Sequence, residues 1–430
     1  MCFLRFLQQA RATLGRYLPE KAAISSAIGS TAGESEREKE NGKQREEQRK
    51  LHIVIGNESC DLDSAVSAIT LAFIYSQRSK ENDYVPILNI PRLDYPLKTE
   101  VGHMFNKCHI DERMLLFRDD LPQHLSSDIN VILVDHHVSD LATNVVEILD
   151  HRPLENNPAM QLLPSHCVRH IEPELGSCAT LITELYLARQ QPRSSHVEQL
   201  LHATIVLDTI NFSTAAKRFC ARDLTMVQQL EQLQRVDKDV DDVDNERTQR
   251  RLLFDELVAA RADISRLTLA EVLRKDMKQL QTEHQKVPMA GLPMLVREFI
   301  EKPDAEQAIR QFAGDANLIV ILGMFVPPQS GGQVQRDVAI ISPTGQTQLL
   351  ERVRRALLDC QTPQLELKPH DVDTNFMGGC FLRQHNVRAT RKHILPVVKR
   401  ALLDWEATQH PHCDCDDVYF FKEKPKLGLS

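Results

Sequence analysis

Residues 55–64, IGNESCDLDS, place Asp61 and Asp63 two positions apart, directly after the apolar run Leu51–Ile55. Two carboxylates so close repel each other unless something cationic lies between them. More acids follow the same habit. Asp135 ends NVILVD and is followed by His136 and His137. Asp150, His151 and Arg152 close VVEILDHR, and Asp208 comes late in HATIVLDTINF. One acid at the end of an apolar run reads as a turn former or a helix N-cap, and Asp63 alone could cap a helix beginning at Ser64. Several such ends in one stretch of chain, two of them accompanied by histidine, are harder to read as caps. Converging carboxylates with imidazole in the set suit a hard divalent cation, Mg²⁺ or Mn²⁺, and the imidazole tilts the choice towards Mn²⁺.

The elements that must position these acids are legible as short Val/Ile/Leu-rich runs. LHIVI, VPILNI, MLLFR, NVILVD and VVEILD read as buried parallel strands. Helical stripes run through SAVSAITLAFIYSQ, 177–189 and 196–207. Strands alternating with helices predict an α/β fold, an open and mostly parallel sheet with helices on both faces. In such sheets ligands gather at the carboxyl ends of the strands. The charged stretch RVDKDVDDVDNERTQRR marks a linker over 236–250. A smaller α+β domain is expected over 251–405, with a helix at 253–278, strands NLIVILGMF and DVAIISP, and helices at 348–358 and 391–404. Residues 406–430 form a tail, in which Cys413 and Cys415 make the one close cysteine pair.

Composition sets the limits. Among 430 residues, a net charge of -8 disfavours a general nucleic-acid binder. No apolar run is long enough for a membrane span. Cysteines scattered singly argue against a disulfide framework and fit a reducing compartment. The first residues, MCFLRFLQQARATLGRYLPEK, are basic, free of acids before Glu20 and amphipathic. With the polar, charged stretch that follows, residues 1–50 read as a targeting segment and disordered linker. Such a segment points to the mitochondrial matrix, with the cytoplasm as the alternative.

GNESCDLDS, LVDHH, LDHRP and TIVLDTINF, in that order, resemble the four motifs of the DHH phosphoesterases, in the branch that holds exopolyphosphatase and the prune proteins. GSCATLITE (176–184) and LRKDMK (273–278) also resemble that branch, and ATRKHILP (389–396) resembles its second, DHHA2-type domain. The resemblance covers about residues 51–405, with a DHH domain over 51–235. It implies an active site in the cleft between the two domains. It also implies two divalent ions held by Asp61, Asp63, Asp135, His151 and Asp208, with Asp135 bridging and Asp150 orienting the His151 ring. Arg152, Arg391 and Lys392 would grip phosphate; His136 and His137 stand beside the bridging acid as lesser candidates. This chain departs from the wider family at two places. Asn57 stands where related pyrophosphatases have a histidine ligand, and an amide binds metal more weakly. Arg152 replaces a histidine with a fixed fork suited to phosphate.

The activity implied is removal of terminal phosphate from short inorganic polyphosphate by a water activated between two metals. Two alternatives stay open: cyclic nucleotide phosphodiesterase, and a regulatory binding protein on the same scaffold with a protein partner. Aromatic residues at 5% offer no obvious base-stacking pocket, which favours the inorganic substrate.

Overall fold

The computed structural model describes residues 2–18, 49–189, 192–234, 243–325, 334–370 and 376–409. They fall into two units that divide between Asp263 and Ile264. The first is built on five parallel strands: β1 (Lys50–Ile55), β2 (Asn82–Ile87), β3 (Asn130–Val134), β4 (Val145–Asp150) and β5 (Val168–Ile171). Their spatial order is β2-β1-β3-β4-β5. The chain leaves β1 for a neighbour on one side and returns as β3 on the other. The connections on either side of that switch point diverge and open a crevice at the carboxyl ends of β1 and β3.

Alternation along each strand feeds two cores. Val54, Ile132, Val134 and Leu149 pack under the helices Leu62–Arg78, Cys178–Leu187 and Ser195–Asp208. The Leu62–Arg78 helix is buried without a break from Leu62 to Ile74, as a helix apolar on all sides must be. On the other face Ile53, Ile55, Val131, Leu133 and Ile148 meet Ala10 and Leu14 of the Phe3–Tyr17 helix and the loop residues Leu116, Leu121 and Leu141. Among the described residues, this second face is thus covered by one helix and apolar loops rather than by a full helical layer.

Three expectations change. The stretch read as targeting segment is, over Phe3–Tyr17, a helix of the first unit. Its apolar stripe is as expected, but Phe3 and Phe6 set their rings 5.2 and 5.7 Å from Phe73, and Arg11 and Arg16 pair with Asp120 and Asp83. The remainder of that segment, 19–48, lies outside the described residues, as do 235–242 and the tail with Cys413 and Cys415. MLLFR is not a strand. The Asp120 carboxylate takes the Phe117 amide, and the Met114 and Leu115 amides turn back to the Asp111 and Glu112 carbonyls, so donors that a ladder would need are occupied, leaving a single bridge between Leu88 and Phe117. Finally, the charged linker is helical from 243 onwards. The Val243–Ala262 helix belongs to the first unit, where Leu257 is buried and Glu256 binds His103 and Lys107 at 2.7 and 2.8 Å.

The second unit carries a six-stranded sheet of β6 (Met277–Gln281), β7 (Lys286–Leu292), β8 (Ile319–Phe325), β9 (Gln335–Ile341), β10 (Leu367–Pro369) and β11 (Cys380–Gln384). The order is β10-β11-β9-β8-β7-β6, antiparallel except between β7 and β8. The helix expected through Lys278 ends earlier. The chain breaks after Ala262, restarts at Leu269 under a Thr268–Glu271 capping box, and turns into β6 at Met277. The helices Thr347–Leu358 and Arg391–Gln409 form where expected. Among the described residues, no helix is long and apolar enough to cross a membrane.

Phe6→Ala removes a buried ring that Phe73 packs against. The expected cost is about 3–5 kcal/mol, read from denaturant unfolding; a free N-terminal extension would give no change.

Candidate metal centre

The turn after β1 brings the first two acids into place. A Cβ at Gly56 would overlap the Ser64 hydroxyl and carbonyl, so only glycine lets the strand end press against the next helix. Asp61, not Asp63, is the N-cap of that helix: its Oδ1 accepts the Ser64 amide at 3.1 Å. Asp63 lies in the first turn and is buried, turned towards the start of the Cys178–Leu187 helix. Its two oxygens accept the Cys178 amide at 2.7 Å and the Ala179 amide at 2.8 Å. Backbone donors at a helix N-terminus are suited to hold a buried carboxylate.

Asp135 follows β3 in a left-handed conformation, φ 60°, with its amide bonded to the Leu149 carbonyl at 2.9 Å. A non-glycine residue there is uncommon and stays only where its surroundings hold it. The turn aims both its carbonyl and its carboxylate at the crevice. Asn57 Nδ2 donates to Asp135 Oδ2 at 2.7 Å and to the carbonyl at 3.2 Å; Arg152 Nε donates to the carbonyl at 2.9 Å.

His151 comes in from the end of β4. Its Nδ1 donates to the Leu175 carbonyl at 3.0 Å, which leaves Nε2 facing the acids, 3.2 Å from Asp135 Oδ1 and 3.6 Å from Asp63 Oδ2. One ligand atom each from Asp63, Asp135 and His151 lies within 4.8 Å of the others. Asp208, the last residue of the Ser195–Asp208 helix, shares a hydrogen bond with Asp63. Thus Asp61, Asp63, Asp135, His151, Arg152 and Asp208 are brought together from separate elements.

The electrostatics record the crowding. Burial, then the charge of Asp63, pushes the Asp135 carboxyl up to about 7. Burial and the neighbouring Asp63 and Asp61 raise Asp208 well above the ordinary carboxyl range. Burial opposes a charge on His151, yet the hydrogen bond to Asp135 and the charge of Asp63 outweigh it and lift the ring to about 10. Asp135 and Asp208 are pushed towards taking a proton and His151 towards keeping one, each the direction that brings in positive charge. Oxygen donors with one imidazole, buried and short of countercharge, fit a divalent cation, and Asp63, Asp135, His151 and Asp208 are the residues that would hold it.

Other expected site residues stand elsewhere. Asp150 does not orient the His151 ring. Its Oδ1 takes the main-chain amides of His151 and Arg152, while Oδ2 binds the buried His137 ring at 2.5 Å. The Leu175 carbonyl does the orienting instead. The other nitrogen of His137 accepts the Glu155 amide at 3.0 Å, so that ring supports the loop after β4 and does not join the acids. His136 bonds the Val134 carbonyl through Nδ1, and burial lowers its pKa to about 4. Arg391 and Lys392 lie in the second unit. Lys392 is exposed, and Arg391 is held by the Asp276 carboxylate and carbonyl, both at 2.7 Å.

Asp223 was not anticipated. Fully buried, it accepts the Gly176 amide at 3.0 Å, the Cys220 amide at 2.7 Å and the Thr180 hydroxyl at 2.6 Å. It thereby fixes the loop that offers Leu175 to His151 and the Cys178 and Ala179 amides to Asp63. Its place in the first turn of the Ala221–Gln234 helix is an ordinary one for an acid, so the sequence carries no signal of this role.

The family model for the DHHA2 domain matches residues 255–401. Human exopolyphosphatase PRUNE1 is 34% identical over 368 residues, 82% of this chain and 76% of that protein. Mouse protein prune homolog 2 is 24% identical over 332 residues, 75% of this chain but 10% of that much longer protein. A probable manganese-dependent inorganic pyrophosphatase of Bacillus pumilus is 24% identical over 249 residues, 55% of this chain and 69% of that protein.

Two measurements check the site. Asp150→Ala strands the buried His137 ring and two amides and is expected to cost about 3–5 kcal/mol in denaturant unfolding. Mn²⁺ at 100 times its dissociation constant is expected to stabilise the wild type by about 2.7 kcal/mol. Asp208→Asn, which relieves repulsion but removes a ligand, should lose most of that gain while being no less stable than wild type without metal.

Proposed function

The chain belongs to the prune-type exopolyphosphatase family of DHH phosphoesterases, and on that premise we propose that it hydrolyses the terminal phosphate from short inorganic polyphosphate. The observation that carries this reading is the convergence of Asp63, Asp135 and His151 on one small volume, with the Arg152 guanidinium at its edge. Use of a divalent metal follows from the family and the donor set. We assign two ion positions, which Asp61, Asp63, Asp135, His151 and Asp208 would hold, and a preference for Mn²⁺ over Mg²⁺ because of the imidazole donor. Bound there, the ions supply the charge that makes water a nucleophile at neutral pH and that offsets charge on phosphoryl oxygens.

The chain's own groups have separable tasks. The Leu175 carbonyl keeps the proton of His151 on Nδ1, so Nε2 stays a ligand. The Cys178 and Ala179 amides hold the Asp63 carboxylate in place. Arg152, about one-third exposed, presents guanidinium N–H groups to a substrate phosphate, a geometry that matches paired oxygens.

Purified full-length protein assayed on tripolyphosphate, tetrapolyphosphate, long polyphosphate, pyrophosphate and cyclic AMP, each with Mn²⁺ and with Mg²⁺, tests the reading. Metal-dependent phosphate release, fastest from the short polyphosphates, is expected. Turnover of cyclic AMP alone would replace the substrate class, and no release from any substrate would make the chain a binding protein. Asp135→Asn should lower kcat by about 10²–10³-fold with the circular dichroism spectrum unchanged.

A further inference from the structure

We infer that Asn57 and Arg152 together act as a built-in countercation on one side of Asp135. The resting protein then holds a single divalent ion, at Asp63, Asp135, His151 and Asp208, and takes a second only with substrate phosphate. The inference rests on the metal-dependent activity assigned above and specifies how its ions load.

Asn57 is 3% exposed and its orientation is determined by its neighbours. Its side-chain oxygen accepts the Ser59 amide at 2.9 Å, the Ser59 hydroxyl at 2.6 Å and the Cys60 amide at 3.2 Å. Main-chain amides can only donate, so the atom facing them is the oxygen and the NH₂ group faces Asp135. That oxygen is saturated, and an amide nitrogen has no lone pair to give a metal. Asn57 is therefore a donor to the Asp135 carboxylate and not a ligand beside it.

Arg152 acts on the same side. Its Nε and Nη2 each approach Asp135 Oδ1 at 3.3 Å, in addition to the Nε bond to the Asp135 carbonyl. A guanidinium cannot lose its proton in a protein. An ion entering here meets a fixed positive charge and a ring of hydrogens, with Asp61 as the carboxylate left to receive it. On the opposite side stand Asp63, Asp208 and His151 Nε2, whose protons, unlike the charge of a guanidinium, an entering cation can displace. The two positions therefore differ in kind. One holds only protons that a cation can replace; the other holds a fixed positive charge and needs the anionic oxygens of a phosphate before a second cation is welcome.

Mn²⁺ uptake by the full chain, followed by equilibrium dialysis and electron paramagnetic resonance, tests this. Without phosphate the wild type should saturate at one ion per chain, with the six-line signal of an isolated Mn²⁺. Adding inorganic phosphate should bring a second ion and an exchange-coupled spectrum. Asn57→Asp, which turns the donor into an acceptor of the same shape, combined with Arg152→Gln, should take two ions without phosphate. Two ions in the phosphate-free wild type, with affinities within tenfold of each other, would overturn the inference, as would a folded double variant that still binds one. Should the double variant not fold, the phosphate titration of the wild type decides alone. A wild type that binds two ions at once and still cleaves tripolyphosphate loses this inference and keeps the assigned activity. One that binds no Mn²⁺ loses both.

Discussion

Mutual repulsion among carboxylates at the ends of β1, β3 and the Ser195–Asp208 helix is the constraint on which the first unit depends. Asp63 and Asp135 are almost wholly out of solvent, where like charges are least screened. A chain can fold with such a cluster only if each acid is held by donors that have nowhere else to go. Here those donors are mainly main-chain amides: Ser64 for Asp61, Cys178 and Ala179 for Asp63. For Asp208 the partner is the Asp63 carboxylate itself, and its own carboxyl is pushed well above the ordinary range. The parallel sheet contributes by topology. Diverging connections at its switch point leave room for the acids, and two helix N-termini meet them with partial positive charge.

The groups around the acids act in layers. Asp150, though part of a motif that looks like metal chemistry, is spent on structure: it ties two amides and the His137 ring to the end of β4. His151 can face the cluster because Asp150 fixes its backbone and Leu175 fixes its ring. Leu175 in turn belongs to the loop that Asp223 closes. Of the run Asp135–His137, one residue reaches the cluster, one braces the following loop, and the third bonds its own strand's carbonyl.

Much of this was legible in the sequence, and the failures have physical causes. Apolar runs that end in acids located the crevice, because strand interiors must be buried and their ends need not be. The choice of N-cap between Asp61 and Asp63 was not legible, since both spacings are acceptable locally and the decision is made by amides more than a hundred residues away. MLLFR has strand composition, yet the Asp120 carboxylate and two local turn carbonyls bind its amides first. The stripe of the Phe3–Tyr17 helix was visible, but a stripe does not say what it packs against, and Phe73 is the answer only in three dimensions. Asp223 looked like any acid in a first helical turn. In each case the period of the pattern was local and readable, while the partner was distant and was not.

Asn57 shows how far a partner can change a residue's chemistry. Read from composition, an amide among acids is a poor ligand and a weak point. Two backbone amides of the adjoining turn, from Ser59 and Cys60, reverse that reading by claiming its oxygen and turning its hydrogens to Asp135. Arg152 completes the change. A charge carried on a side chain is present at every metal concentration, whereas a bound ion's charge rises and falls with occupancy. The guanidinium side of Asp135 therefore attracts anions whether or not metal is loaded, and the opposite side attracts cations whether or not phosphate is present. One carboxylate standing between two such environments separates the binding of the ion from the binding of the anion, and it does so with turn geometry that a single residue at position 57 makes possible.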